Sequence, residues 1–208
     1  MYYQVFLIIL IIIIAYFLLF NDTRIEYPAS NGVYYKIRYD GSTELKIQKV
    51  EFLKNIDTKM RTIINYMHSN VLPNKEIADR VYNRMSQSRL GETPNGDNSA
   101  AYTINKGHIY ICLITNGKFN DENDSFFVIL HELAHIMSNS YGHGEEFKQN
   151  FNFIVKLAVK LGLWTPKDYE KENVNYCGVN VTSSPCDNDE CSNNNLENYY
   201  KESLLDFE

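Results

Sequence analysis

Residues 131–147 read HELAHIMSNSYGHGEEF and hold three of the chain's five histidines. His131 and His135 are four apart, so on a helix they stand one turn above the other and can offer two imidazoles to a single ion. Glu132 follows the first histidine directly. That spacing sets a carboxylate beside the ion without making it a ligand, in a place where it can take a proton from a metal-bound water. A catalytic zinc uses three protein ligands and keeps one position open, and His143 is the expected third. Three neutral imidazoles leave the ion its positive charge, so it lowers the pKa of its water and polarises a carbonyl. Glu132 then serves as general base toward the water and general acid toward a leaving amine. Glu145 or Glu146 is the alternative third ligand, since glutamate takes that place in some zinc sites. A bland reading of His131 and His135 as core polar residues leaves Glu132 between them unexplained. His68 and His108 have no such partners nearby in sequence and read as structural or solvated.

The elements that position these residues follow from periodicity and punctuation. SFFVILHELAHIMSNSY, preceded by the acids of NGKFNDEND, is an expected helix with negative charge at its positive end, stopped by Gly142. A second helix runs through Phe147, Phe151, Ile154, Val155, Ala158 and Leu161, which puts His143 at the junction of the two. Upstream, VYYKIRYDGSTELKI alternates on both sides of Asp40-Gly41, so residues 33–47 are expected to form a hairpin. From Lys49 to about His68 apolar residues recur at helical spacing, and NKEIADRVYNRMSQS after Pro73 looks like a shorter helix. GETPNGDNS reads as a loop, and AAYTIN, KG and HIYICLI as strand, turn and strand.

At 208 residues and 44% hydrophobic content the chain suits one domain with appendages. Val5 to Phe20 is an uninterrupted apolar run with no basic residue before it and no small-x-small cleavage site after it, so it is expected to be a retained single-pass transmembrane anchor in contact with the lipid bilayer through residues 5–20. Orientation stays open: Arg24, Lys36 and Arg38 follow the run, while Asn21, Asn123 and Asn180 head N-glycosylation patterns. Cys112 lies in an apolar stretch and Cys177, Cys186 and Cys191 cluster near the end, leaving a disulfide, a reduced tail and a partner contact all open. A net charge of -6 and a pI near 5.4 argue against nucleic acid as a partner. The organisation expected is an anchor at 1–20, a juxtamembrane segment with the hairpin at 21–45, a zinc-binding domain at 46–165 and a loosely ordered, Asn/Asp-rich tail at 166–208. The asparagine, isoleucine and tyrosine bias fits an AT-rich genome, which makes a viral or virion membrane the expected location.

The sequence GHIYICLITNGKF, then VILHELAH, then GHGEEF resembles the zincin metallopeptidases of the WLM and SprT-like groups over roughly residues 46–165. In those families a strand borders the substrate cleft, the next helix carries H-E-x-x-H, and a later histidine in an H-x-x-x-F setting completes the zinc site. The resemblance implies an α+β domain, with a small mixed sheet packed on the motif helix and its supporting helices. It assigns zinc to His131, His135 and His143 and catalysis to Glu132, with Phe147 as the aromatic that follows the third ligand. A protein or peptide substrate is implied. The alternative is a zinc-binding membrane protein without catalysis, an interaction or virion component. The zinc ribbon of some SprT-like proteins has no counterpart, so the resemblance speaks to the metal site and not to a particular substrate.

Overall fold

The computed structural model describes residues 2–20, 24–96 and 99–185, and within the first of these the side chains of residues 3–13 only. Helix α1 (Tyr2–Phe20) is the apolar N-terminal run, with its described side chains exposed. Among the described residues, no helix is long and apolar enough to cross a membrane. The transmembrane anchor expected at residues 1–20, the bilayer contact through 5–20 and the single-pass membrane location are therefore corrected: an unbroken apolar composition marks a helix here but does not establish a span.

The body is a mixed α+β fold. Strands β1 (Arg24–Pro28) and β2 (Tyr34–Arg38) pair antiparallel; β3 (Leu90–Glu92) lies parallel to β2; β5 (His108–Ile111) lies parallel to β3; and β4 (Ala101–Ile104) pairs antiparallel with β5 at the sheet's edge. The order is β1-β2-β3-β5-β4. Tyr35, Ile37, Leu90, Ile109 and Ile111 are buried from this sheet, and α2 (Thr43–Asn70) contributes Val50, Leu53, Ile56, Met60, Ile63, Ile64 and Met67 to the same core. Helix α3 (Lys75–Ser86) adds Val81 and Met85. The apolar spacing of α2 is thus its packed face.

The expected hairpin around Asp40-Gly41 does not form. Gly41, at φ +83°, turns the chain into α2, and the Ser42 side chain caps that helix by accepting from Leu45 N at 3.2 Å. An N-cap and an acid in the first turn (Glu44) decide for a helix where local alternation suggested a strand. The partner of β2 comes instead from upstream, in β1. Part of the expected GETPNGDNS loop is likewise strand: Glu92 ends β3 buried, where its carboxylate meets the equally buried Lys49 ammonium at 3.1 Å and accepts from Arg38 N at 2.8 Å.

Beyond Phe119 the chain builds α4 (Glu122–Met137) and α5 (Glu145–Lys160), preceded by the small hairpin β6 (Ile114–Thr115) and β7 (Lys118–Phe119). Helix α4 is central, buried through Phe126, Ile129, Leu130, Leu133, Ala134, Ile136 and Met137. Structure continues past residue 165, with a single turn α6 (Tyr169–Glu172) and a hairpin of β8 (Val174–Tyr176) and β9 (Val179–Val181). Tyr169 and Tyr176 are each 1% exposed, which explains why this stretch is ordered although its composition reads as tail: two large aromatics bury apolar surface. Tyr169 donates to Asp124 Oδ1 at 3.0 Å, and Tyr176 donates to Cys112 O at 2.7 Å. Cys177 is bonded to Cys112, closing the choice left open for these two cysteines, with Cα atoms 6.3 Å apart. Cys186, Cys191 and the expected tail from 186 onward lie outside the described residues.

Candidate metal centre

The site begins with how α4 starts and stops. Asp121 caps it, its carboxylate accepting from Asn123 N at 2.9 Å and Asp124 N at 3.1 Å. At the other end Ser138 leaves the helix in an extended conformation, four residues before the stop expected at Gly142, while its hydroxyl bonds back to Ala134 O at 2.8 Å. A serine that satisfies the last carbonyl this way competes with continuation of the helix. Arg80 donates to Met137 O at 2.7 Å and Lys106 Nζ to Asn139 O at 3.0 Å, so cations meet the negative end of α4. Lys106 is offered from the β4–β5 turn, where it and Asn105 both hold positive φ.

The segment between α4 and α5 is tied down from the far side by Glu146. Its carboxylate accepts from Asn139 N at 2.7 Å, from Ser140 N at 2.9 Å and from Ser140 Oγ at 2.7 Å. These bonds, led by Asn139 N, outweigh burial and hold its pKa below the usual carboxylate range. Glu146, weighed above as a third ligand, is thus the brace of the loop that carries His143. Glu145 is exposed and pairs with Lys148 at 2.6 Å.

That loop returns His143 to the face of α4. His131, His135 and His143 each offer a ring nitrogen, and these nitrogens lie within 4.8 Å of one another. His131 Nε2 and His143 Nε2 are 3.1 Å apart. Nitrogens bound tetrahedrally to one zinc at ordinary bond lengths lie roughly 3.3 Å apart, close to this His131–His143 separation. Phe147 packs under all three imidazoles, with ring centroids at 4.9, 4.3 and 4.7 Å. Burial, then the neighbouring His135 and His143, push His131 down to about 4; burial, then His143 and Lys106, do the same to His135. Both rings are neutral at pH 7 with a lone pair to give, as a ligand must be.

Glu132 is 7% exposed, and its carboxylate pKa is raised by burial against a lowering bond from Thr103. That bond, from Thr103 Oγ1 to Glu132 Oε2, measures 2.6 Å. Thr103 belongs to β4, the edge strand, and lines with Ala101, Tyr102, His131, Glu132 and His143 an open cleft of about 500 Å³. Thr103 and Lys106 escaped the sequence reading. AAYTIN and the following turn were recognised as elements, but which of their side chains face α4 is set by sheet order. His68 stacks on Tyr82 at 4.0 Å, and His108 is exposed on β5; neither joins the cluster. Asn123, a candidate glycosylation site, is engaged with the Thr165 backbone through two bonds of 2.9 Å, and Asn180 accepts from Asn175 at 2.9 Å.

No family model matches this sequence, and no solved structure matches it. Similar proteins occur in large DNA viruses. The chain is 29% identical to an uncharacterized protein of Acanthamoeba polyphaga mimivirus over 140 residues, covering 64% of this chain and 71% of that one. It is 33% identical to an uncharacterized protein of Invertebrate iridescent virus 6 over 100 residues, or 46% of this chain. A protein of Invertebrate iridescent virus 3 is 31% identical over 86 residues, or 40% of this chain. The chain spans about half the length of each iridescent virus relative, 52% in both cases. The viral origin of all three accords with the compositional bias.

Proposed function

We propose that this protein is a zinc-dependent peptidase of zincin type, with His131, His135 and His143 as ligands and Glu132 as general base. The observation that carries the reading is the placement of a buried carboxylate, held by Thr103, directly beside three converging imidazoles in an open cleft. A bound zinc supplies Lewis-acid polarisation of water and of a peptide carbonyl. The chain's own groups do the rest. Glu132 accepts a proton from the attacking water on the carboxylate oxygen left free by Thr103 and returns it to the leaving amine. Its raised pKa suits both halves of that transfer, because the acid form is less costly than for an exposed glutamate. Lys106, Arg80 and Glu146 keep the His143 loop in place, and the edge strand β4 offers backbone groups along the cleft.

Metal analysis of the purified full chain, paired with cleavage of an unbiased peptide library before and after chelation, tests the proposal. About one zinc per chain is expected, together with cleavage that chelation removes and zinc restores. Cleavage that survives complete metal removal contradicts it. Zinc without cleavage of any peptide favours the non-catalytic alternative.

A further inference from the structure

The N-glycosylation patterns headed by Asn21, Asn123 and Asn180 have no part in the chemistry proposed above. Asn21 lies outside the described residues, and the fold separates the other two. Asn123, in the first turn of α4, is closed on Thr165 at both ends, Oδ1 accepting from Thr165 N and Nδ2 donating to Thr165 O, each at 2.9 Å. Ser125, whose hydroxyl completes that pattern, is fully buried. Asn180 is exposed on β9, and Thr182, just past the strand, is exposed as well. The two stand at the i, i+2 spacing that shares one side of an extended chain. Asn175 donates to Asn180 Oδ1 at 2.9 Å, a bond that holds the amide by its oxygen and in which Nδ2 takes no part. We infer that Asn180 is a modification site carrying an N-linked glycan, and that the body of the protein matures in an oxidising compartment that supplies the sugar donor; the inference does not rest on the peptidase reading.

The same hairpin carries an independent sign of that compartment. Cys177, three residues before Asn180, is bonded to Cys112, and among the described residues no cysteine is free. Such bonds form and persist in oxidising surroundings, whereas a reducing cytosol keeps thiols open. The donor is an oligosaccharide on a lipid pyrophosphate. Asn180 Nδ2 attacks the anomeric carbon and a C–N bond forms; the C–O bond to the pyrophosphate breaks, the pyrophosphate leaves with that electron pair, and the amide gives up one proton. The fold has room for the product. Among the described residues β9 pairs with β8 alone, so its other edge is open, and Val179 beside Asn180 is 48% exposed. A bulky, hydrated group there keeps an open strand edge from pairing with another chain. At Asn123 the same group would compete with the bonds to Thr165.

The test produces the full chain in cultured eukaryotic cells and traps free thiols with an alkylating agent at lysis. Peptide N-glycosidase in 18O-water then converts a glycosylated asparagine to labelled aspartate. Mass spectrometry should find the label at Asn180 and not at Asn123, in molecules whose Cys112 and Cys177 remain joined. Thr182→Val removes the hydroxyl and should lower the label at Asn180 by at least about tenfold, while Thr182→Ser retains it. Both variants should keep the Cys112–Cys177 bond, which reports that the hairpin has folded. An unlabelled Asn180 in a chain whose disulfide has formed, label at Asn123, label that survives Thr182→Val, or alkylated Cys112 and Cys177 in the parent chain overturns the inference.

Discussion

Thr103 Oγ1 donates to Glu132 Oε2 across 2.6 Å, tying the edge strand of the sheet to the carboxylate that follows the first histidine. The bond does two things. It fixes which carboxylate oxygen remains for a water, and it pulls the Glu132 pKa down against the burial that raises it.

Thr103→Val removes the donor and keeps the shape. Zinc content should be unchanged, kcat should fall by about tenfold or more, and the acidic limb of the pH–rate profile should move to higher pH, because the carboxyl loses a bond that favours its ionised form. Thr103→Ser should restore both. A Val variant with reduced kcat and an unmoved acidic limb would assign Thr103 to packing alone.

Glu146 and Glu145 are neighbours with different work. Glu146→Ala frees the Asn139 and Ser140 amides and should weaken zinc binding about tenfold, as loss of a group that orients a ligand typically does. Glu145→Ala removes only an exposed pairing with Lys148 and should leave affinity as it was. Competition titration against a fluorescent chelator measures both. Equal losses in the two variants would contradict the assignment of the brace.

This division was not legible in the sequence, where both glutamates sit in the first turn after His143 and either could reach an ion. Helical spacing made α2, α4 and α5 readable, and the i, i+4 histidines placed themselves. The hairpin at Asp40-Gly41 misled because alternation is a local signal and Ser42 is also an N-cap; only the tertiary pairing of Tyr34–Arg38 with Arg24–Pro28 resolves it. The Cys112–Cys177 bond joins residues 65 apart, a separation on which periodicity is silent. Tyr169 and Tyr176 were the available hint that order continues past residue 165, hidden by the asparagine-rich composition around them.

That cross-link should matter for stability. Reduction, or Cys112→Ser with Cys177→Ser, should cost about 2–5 kcal/mol, the usual effect of opening a long loop. Urea denaturation with and without reductant measures it, and coincident midpoints would show the bond to be unimportant.

The metal-free protein should lose stability as pH falls from about 6.5 to about 4. His131 and His135 are held near 4 when folded against an ordinary value of 6.5, so in that window the unfolded chain binds more protons and protonation favours unfolding. Glu132, whose pKa is raised, acts with the opposite sign as pH rises above 4.5, so the slope is best read in Glu132→Gln. Denaturation midpoints of the chelated variant at pH 7, 5.5 and 4 should fall in that order. A flat series would mean that the imidazoles are not held neutral.

The most direct test of the central claim is the rate of peptide cleavage by Glu132→Gln measured beside its zinc content. The amide keeps the shape and can still accept from Thr103, but it cannot take a proton from water. Zinc should stay at the parent stoichiometry while cleavage falls by at least about a hundredfold. Parent-level cleavage with zinc retained would contradict the account, because the carboxylate between the histidines would then have no part in the chemistry.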